Sequence, residues 1–112
     1  MNSLEGDAQR LSIYLGEDDH YGHHPLYHAI VLKAREMGLA GATVTRAFEG
    51  YGATTRIHTD SLLDLSADLP IIVEIIDQAD AIAAFLPVLK PMVTGGLITL
   101  ESIHIVKYAH KD

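Results

Sequence analysis

The run Leu69-Pro70-Ile71-Ile72-Val73-Glu74-Ile75-Ile76 restricts the fold more than any other part of the chain, because it is rich in branched side chains and almost continuously apolar. Residues branched at Cβ lose rotamer freedom in a helix and pack well on a pleated surface, so the run reads as a central strand. Such a strand has two faces to cover. Ile71, Val73 and Ile75 point one way, Ile72 and Ile76 the other.

The flanking sequence supplies partners for that strand. Residues 10–15 alternate Leu11, Ile13 and Leu15 against Arg10, Ser12 and Tyr14, the period of a strand with one buried face. After the polar stretch 16–24, Pro25 is placed for the first turn of a helix, with Leu26, Ile30, Ala34 and Met37 at helical spacing and Gly38 as its stop. A second strand is expected in residues 41–52, followed by a loop with one short extended piece in residues 53–67. Beyond the central strand, Asp77 is placed to cap a second helix with an apolar stripe of Ile82, Phe85, Leu86 and Leu89. An interior proline costs a helix about 3 kcal/mol, so Pro87 predicts a bend or an end near Ala84. Gly95-Gly96 then makes a turn, and residues 97–108 form the last strand.

The resulting order, β-α-β-β-α-β, predicts an α+β ferredoxin-like sandwich: a four-stranded antiparallel sheet with two helices on one face. Two helices leave the other face, with Ile72 and Ile76, uncovered. Self-association through that face is the expected cover.

Composition narrows the possible functions. A chain of 112 residues is expected to be a single domain over residues 1–112, with residues 1–8 a flexible N-terminus. Cysteine is absent, which removes thiol catalysis and thiolate metal sites and suits a reducing cytoplasm. Residues 1–10 lack the pattern of a signal peptide, and no apolar run reaches the ~20 residues of a membrane span. Fifteen acidic against eight basic side chains give a net charge of -7 with no Lys/Arg cluster, so a nucleic-acid partner is not expected. A small phosphorylated ligand stays open, since backbone N–H groups can hold phosphate without a basic surface.

The segment Gly41-Ala42-Thr43-Val44-Thr45-Arg46-Ala47-Phe48-Glu49-Gly50-Tyr51-Gly52 is a β-rich run bracketed by glycines. Gly41 suits a helix exit, and Gly50 and Gly52 suit a bend or a close backbone approach. Spacing alone fits a hairpin arm with ordinary turn glycines equally well.

In this order of elements, Gly41-Ala42-Thr43-Val44 with Gly50-Tyr51-Gly52 resembles the second strand and loop start of the PII signal-transduction superfamily. Ile71-Ile72-Val73-Glu74-Ile75 resembles its third strand, and Thr94-Gly95-Gly96 stands in the place of its second ligand loop. Tyr14-Leu15-Gly16-Glu17, Pro25-Leu26-Tyr27, Arg56-Ile57-His58 and Ala84-Phe85-Leu86-Pro87 add a resemblance to the PII-like family called domain of unknown function 190, covering residues 10–108.

The resemblance implies a homotrimer that regulates rather than catalyses. It also implies clefts between subunits near the end of the second strand, the third strand and the loop before the fourth. In PII proteins an adenine nucleotide occupies that cleft and the loop after the second strand engages a transporter or enzyme. Members of the domain of unknown function 190 family often accompany a fluoride-exporting channel, which implies a membrane transporter or fluoride channel as partner. A small anionic ligand is therefore expected, either an adenine nucleotide or a cyclic di-nucleotide. The sequence departs from PII in the loop after Gly52, and residues 94–102 lack the phosphate-holding lysine.

The expected ligand-binding positions are Gly41, Thr43, Arg46, Gly50, Gly52, Arg56, His58, Glu74, Gly95 and Gly96. Arg46, Arg56 and His58 would supply positive charge for a phosphate or carboxylate, although Arg46 can equally alternate outward on its strand and Arg56 can pair with Glu49 or Asp60. Gly95-Gly96 would offer an anion-cradling backbone, or simply a turn. A second constellation, His20, His23, His24 and His28 beside Glu17, Asp18 and Asp19, has side chains suited to a divalent metal but matches no specific zinc spacing. A solvated loop before the helix explains it as well. No serine has a nucleophile-elbow frame and no glycine-rich loop ends in Lys-Ser/Thr, so the chain is expected not to be an enzyme.

Overall fold

A computed structural model describes residues 4–52 and 68–110. The central run forms β5 (Pro70–Asp77), which lies between β4 (Ala42–Arg46) and β1 (Gly6–Gly16), with β6 (Leu97–Ile105) on the far side of β1. All three pairings are antiparallel, and the sheet order β4-β5-β1-β6 is that of the ferredoxin-like sandwich. Helices α1 (Leu26–Glu36) and α2 (Ala79–Met92) supply the second layer.

Alternation on the strands decides which side chains meet the helices. Leu11, Ile13 and Leu15 of β1 stand opposite Ile75, Val73 and Ile71 of β5, and all six are buried. They join Ile30 of α1 and Ile82, Phe85 and Leu89 of α2 in one core. The opposite face carries Tyr14, Ser12 and Arg10 beside Ile72, Glu74 and Ile76, and no element of the described chain covers it.

Several elements differ from the sequence expectation. Strand β1 begins at Gly6 rather than Arg10, so residues 6–8, expected in a flexible N-terminus, pair with Ile103 to Ile105 of β6. Strand β4 stops at Arg46 instead of running to Gly52, for Phe48 is 93% exposed with no sheet surface to pack on and Gly50 has φ +153°. The last strand stops at Ile105, short of Tyr108.

The polar stretch before α1 contains a small hairpin, β2 (His20–Tyr21) and β3 (His24–Pro25), turned by Gly22 at φ +63°. Pro25 is consequently the residue that caps α1, and Leu26 begins the helix.

The end of α1 uses Gly38 at φ +79°. Gly38 N–H donates to Arg35 O and Leu39 N–H to Ala34 O, the paired bonds of a Schellman stop. Gly41 has no such role, and Met37 is 40% exposed at the helix end instead of joining the stripe.

Helix α2 runs through Pro87 and Pro91 without ending near Ala84. Both prolines and Ala83, whose carbonyl loses its partner at Pro87, lie on the exposed side of the helix, so the lost hydrogen bond is not buried in the core. Leu86 is only partly buried beside the stripe, and Met92, 6% exposed, extends the buried face beyond Leu89.

Asp77 does not cap α2 through the first turn. Its Oδ1 accepts from the N–H of Gln78 at 2.7 Å and its Oδ2 from the N–H of Ala40 at 2.9 Å, which ties the α1–β4 connection to the end of β5.

Candidate functional site

Antiparallel pairing brings the ends of four strands to one end of the sheet. Leu15 and Arg46 both stand opposite Ile71, and Tyr14 stands opposite Leu97, so β1 and β4 finish where β5 and β6 begin. The chain leaving β1 is stitched to the chain entering β5. Glu17 N–H donates to Leu69 O at 2.9 Å, and Asp18 N–H donates to Asp68 Oδ1 at 2.8 Å. Gly16 makes this possible, since a Cβ there would lie 2.8 Å from both Asp68 oxygens.

Arg46 closes β4 at this end, and its Nε lies 3.0 Å from Glu17 Oε2. The guanidinium is about half exposed and the Glu17 side chain is less so, with 29% of its surface open to solvent. At the other edge, the Gly95-Gly96 turn presses against β1. Gly96 has φ +142°, and a Cβ on it would lie 2.6 Å from the carbonyl oxygen of Tyr14. The close approach therefore requires glycine there irrespective of any ligand.

Strand order separates the two halves of this end. Arg46 is on β4 and the glycine turn precedes β6, three inter-strand steps apart, or about 14 Å at ~4.8 Å per step. Gly50 and Gly52 follow Arg46 and are exposed, as are the aromatic side chains of Phe48 and Tyr51 between them. Lys90, in the last turn of α2, adds a second basic side chain near this end.

The remaining expected positions lie elsewhere. Thr43 and Glu74 are cross-strand partners on the uncovered sheet face, where Ser12 stands on the other side of Glu74 and Thr99 beyond Ser12. Gly41 lies just before β4 at the opposite end from Arg46, beside the Ala40–Asp77 tether. Arg56 and His58 are outside the described residues. On the same uncovered face Arg10 pairs with Glu101 at 2.7 Å; the hydrogen bond to Glu101, and next that residue's charge, hold the guanidinium above its ordinary pKa. Exposed at 40% and 54%, Tyr14 and Leu97 form with Ile72 an apolar row nearer the loop end.

The four histidines do not converge on a metal. Among the described residues no group of three or more His, Asp or Glu side chains is placed to hold one. The hairpin explains why: His24 pairs with Tyr21, so His20, next to Tyr21 on the strand, faces the other way. His20 Nδ1 is hydrogen bonded to Asp18 O at 2.6 Å, and the rings of His24 and His28 are tilted against each other with centroids 5.9 Å apart.

Sequence reasoning missed Glu17 as the partner of Arg46, and Asp68 as the anchor facing Gly16. The available signal was the end of the alternating pattern at Leu15-Gly16-Glu17, which puts Glu17 just beyond the strand terminus.

Comparison with known proteins adds to this geometry. The model of the DUF190 family, described as an uncharacterized ACR, matches residues 8–105. A UPF0166 protein of Aquifex aeolicus is 42% identical over 96 residues, covering 86% of this chain and 90% of the relative. Another, from Methanocaldococcus jannaschii, is 34% identical over 101 residues, covering 89% and 93%. Among solved structures, CPII of Thiomonas intermedia K12 bound to ADP and bicarbonate superposes with a TM-score of 0.62 at 16% identity, over 90% of each chain. A structure described as a PII-like signaling protein of Thermus thermophilus reaches 0.65 at 17% identity, over 90% of this chain and 91% of the other. No helix among the described residues is long and apolar enough to cross a membrane.

Proposed function

The chain belongs to the DUF190 family, whose fold here is PII-like, and we propose that it is a non-enzymatic regulator that binds a small anionic ligand of nucleotide type between subunits of a homotrimer. The observation that carries this reading is the convergence of four strand ends on one end of the sheet, with Arg46 at one edge and the Gly95-Gly96 turn at the other. That arrangement occurs in a fold whose solved neighbour is bound to ADP and bicarbonate. A ligand touching both features must bridge about 14 Å within one chain, whereas two neighbouring copies can bring one edge of each together.

The uncovered sheet face supports assembly. Half-buried Ile72 lies in a row with exposed Tyr14 and Leu97 on it, and contiguous apolar surface on a small chain marks an interface. Ligand occupancy is relayed through the segment that begins at Gly50 and Gly52, with exposed Phe48 and Tyr51 at its base. The partner in this reading is a membrane transporter or channel, approached from the cytoplasm.

Thermal melting with ADP, cyclic di-nucleotides, bicarbonate and fluoride tests the ligand class. A ligand at 100 times its dissociation constant stabilises by about 2.7 kcal/mol. Silence toward every nucleotide would remove the nucleotide reading, and a monomer by light scattering would remove the trimer.

A further inference from the structure

Glu17 is an internal competitor for the charge that the proposed ligand needs. Its backbone N–H is fixed to Leu69 O, and the next residue is fixed to Asp68, so the Glu17 main chain is held at the strand end. From there Oε2 reaches Arg46 Nε at 3.0 Å. Arg46 ends the strand that leads toward Gly50 and Gly52, and in this state its fork already has an acidic partner.

The surroundings sharpen the competition. Two further carboxylates in the same stitched corner are engaged with backbone groups: Asp68 Oδ1 accepts from Asp18 N–H and Asp19 Oδ2 from Gly16 N–H. Of the acidic residues in this corner, Glu17 is the one that meets Arg46. An incoming anion must therefore displace one carboxylate to reach the Arg46 guanidinium.

We propose that Glu17 sets the ligand threshold of this site by competing with an incoming phosphate for Arg46, so that an anion binds only by displacing the carboxylate. The inference rests on the ligand-binding reading above. It adds a specific residue and a specific sign: removing the Glu17 charge tightens binding, because the free state loses a favourable pair that the bound state has already given up. A half-exposed ion pair contributes up to about 1 kcal/mol, equivalent to about fivefold in affinity.

Titration calorimetry with ADP on wild type, Glu17→Gln, Arg46→Gln and the double variant tests it. The expected result is that Glu17→Gln binds ADP about fivefold tighter than wild type, Arg46→Gln binds it weaker, and the gain from Glu17→Gln disappears in the Arg46→Gln background. Equal or weaker ADP binding by folded Glu17→Gln overturns the inference while leaving the site in place, as does an undiminished gain in the Arg46→Gln background, which would mark a general charge effect. Absence of ADP binding by all four proteins overturns the nucleotide reading itself and this inference with it. Circular dichroism of each variant confirms the fold, and Glu17→Asp, which keeps the charge on a shorter arm, is expected to bind ADP more weakly than Glu17→Gln.

Discussion

Gly96 sits against the backbone of Tyr14 so closely that a Cβ on the glycine would lie 2.6 Å from the Tyr14 carbonyl oxygen. The same glycine has φ +142°, where side chains are strained. Gly96→Ala is therefore expected to destabilise the chain by about 2 kcal/mol, from backbone strain and the forced shift of the turn. Urea unfolding measures this directly, and an unchanged midpoint would mean the turn moves off β1 without cost.

Phe85 is fully buried where α2 meets the sheet, in contact with the core built by β1 and β5. Truncation to alanine removes an aromatic ring that is entirely out of solvent. Phe85→Ala should cost about 3–5 kcal/mol, a large fraction of the roughly 5–15 kcal/mol by which ordinary domains are stable. Retention of a cooperative melt within a few degrees of wild type would contradict the core described above.

Asp77 holds two N–H groups from different parts of the chain, those of Gln78 and Ala40, and is itself only 9% exposed. Asp77→Ala leaves both donors without that partner and is expected to cost about 1–3 kcal/mol. Asp77→Asn keeps an acceptor oxygen, so its loss should be smaller. Equal losses in the two variants, compared by thermal melting, would argue that the carboxyl's hydrogen bonds are not what matters there.

The uncovered face offers a test of assembly that leaves the core alone. Ile72 faces away from the helices, between Thr45 of β4 and Tyr14 of β1. Ile72→Lys is expected to give a monomer with an unchanged circular dichroism spectrum, as judged by sedimentation, because a charge buried without a partner is strongly unfavourable. Persistence of the wild-type oligomer would place the interface elsewhere.

Much of the architecture was legible in side-chain pattern. The alternation of Leu11, Ile13 and Leu15 and the branched run at Ile71 to Ile75 identify two adjacent strands, and the helical spacing of Ile82, Phe85 and Leu89 identifies the face of α2 that they bury. The errors fall where local propensity met tertiary context. Pro87 did not end α2, since its lost hydrogen bond lies on the solvent side. Asp77 became a tether because the α1–β4 connection passes within reach of its carboxylate, a proximity that no local pattern encodes.

The candidate site was legible only in pieces. Arg46, Gly95 and Gly96 stand at one end of the sheet, but Gly41 belongs to the other end and Thr43 with Glu74 to the open face. The histidine-rich stretch was visible as composition, while the hairpin that turns His20 away from His24 was not.

Side-chain pattern specified the four strands of the main sheet and the two helices, their order, and the need to cover a strand apolar on both faces. Those follow from short-range sterics and from the period of burial along one strand or helix. The meeting of Glu17 with Arg46, of Asp68 with the space at Gly16 and of Gly96 with Tyr14 came from long-range packing. Each of these joins separate elements through the sheet's register, and register is fixed by the assembled core rather than by any single segment.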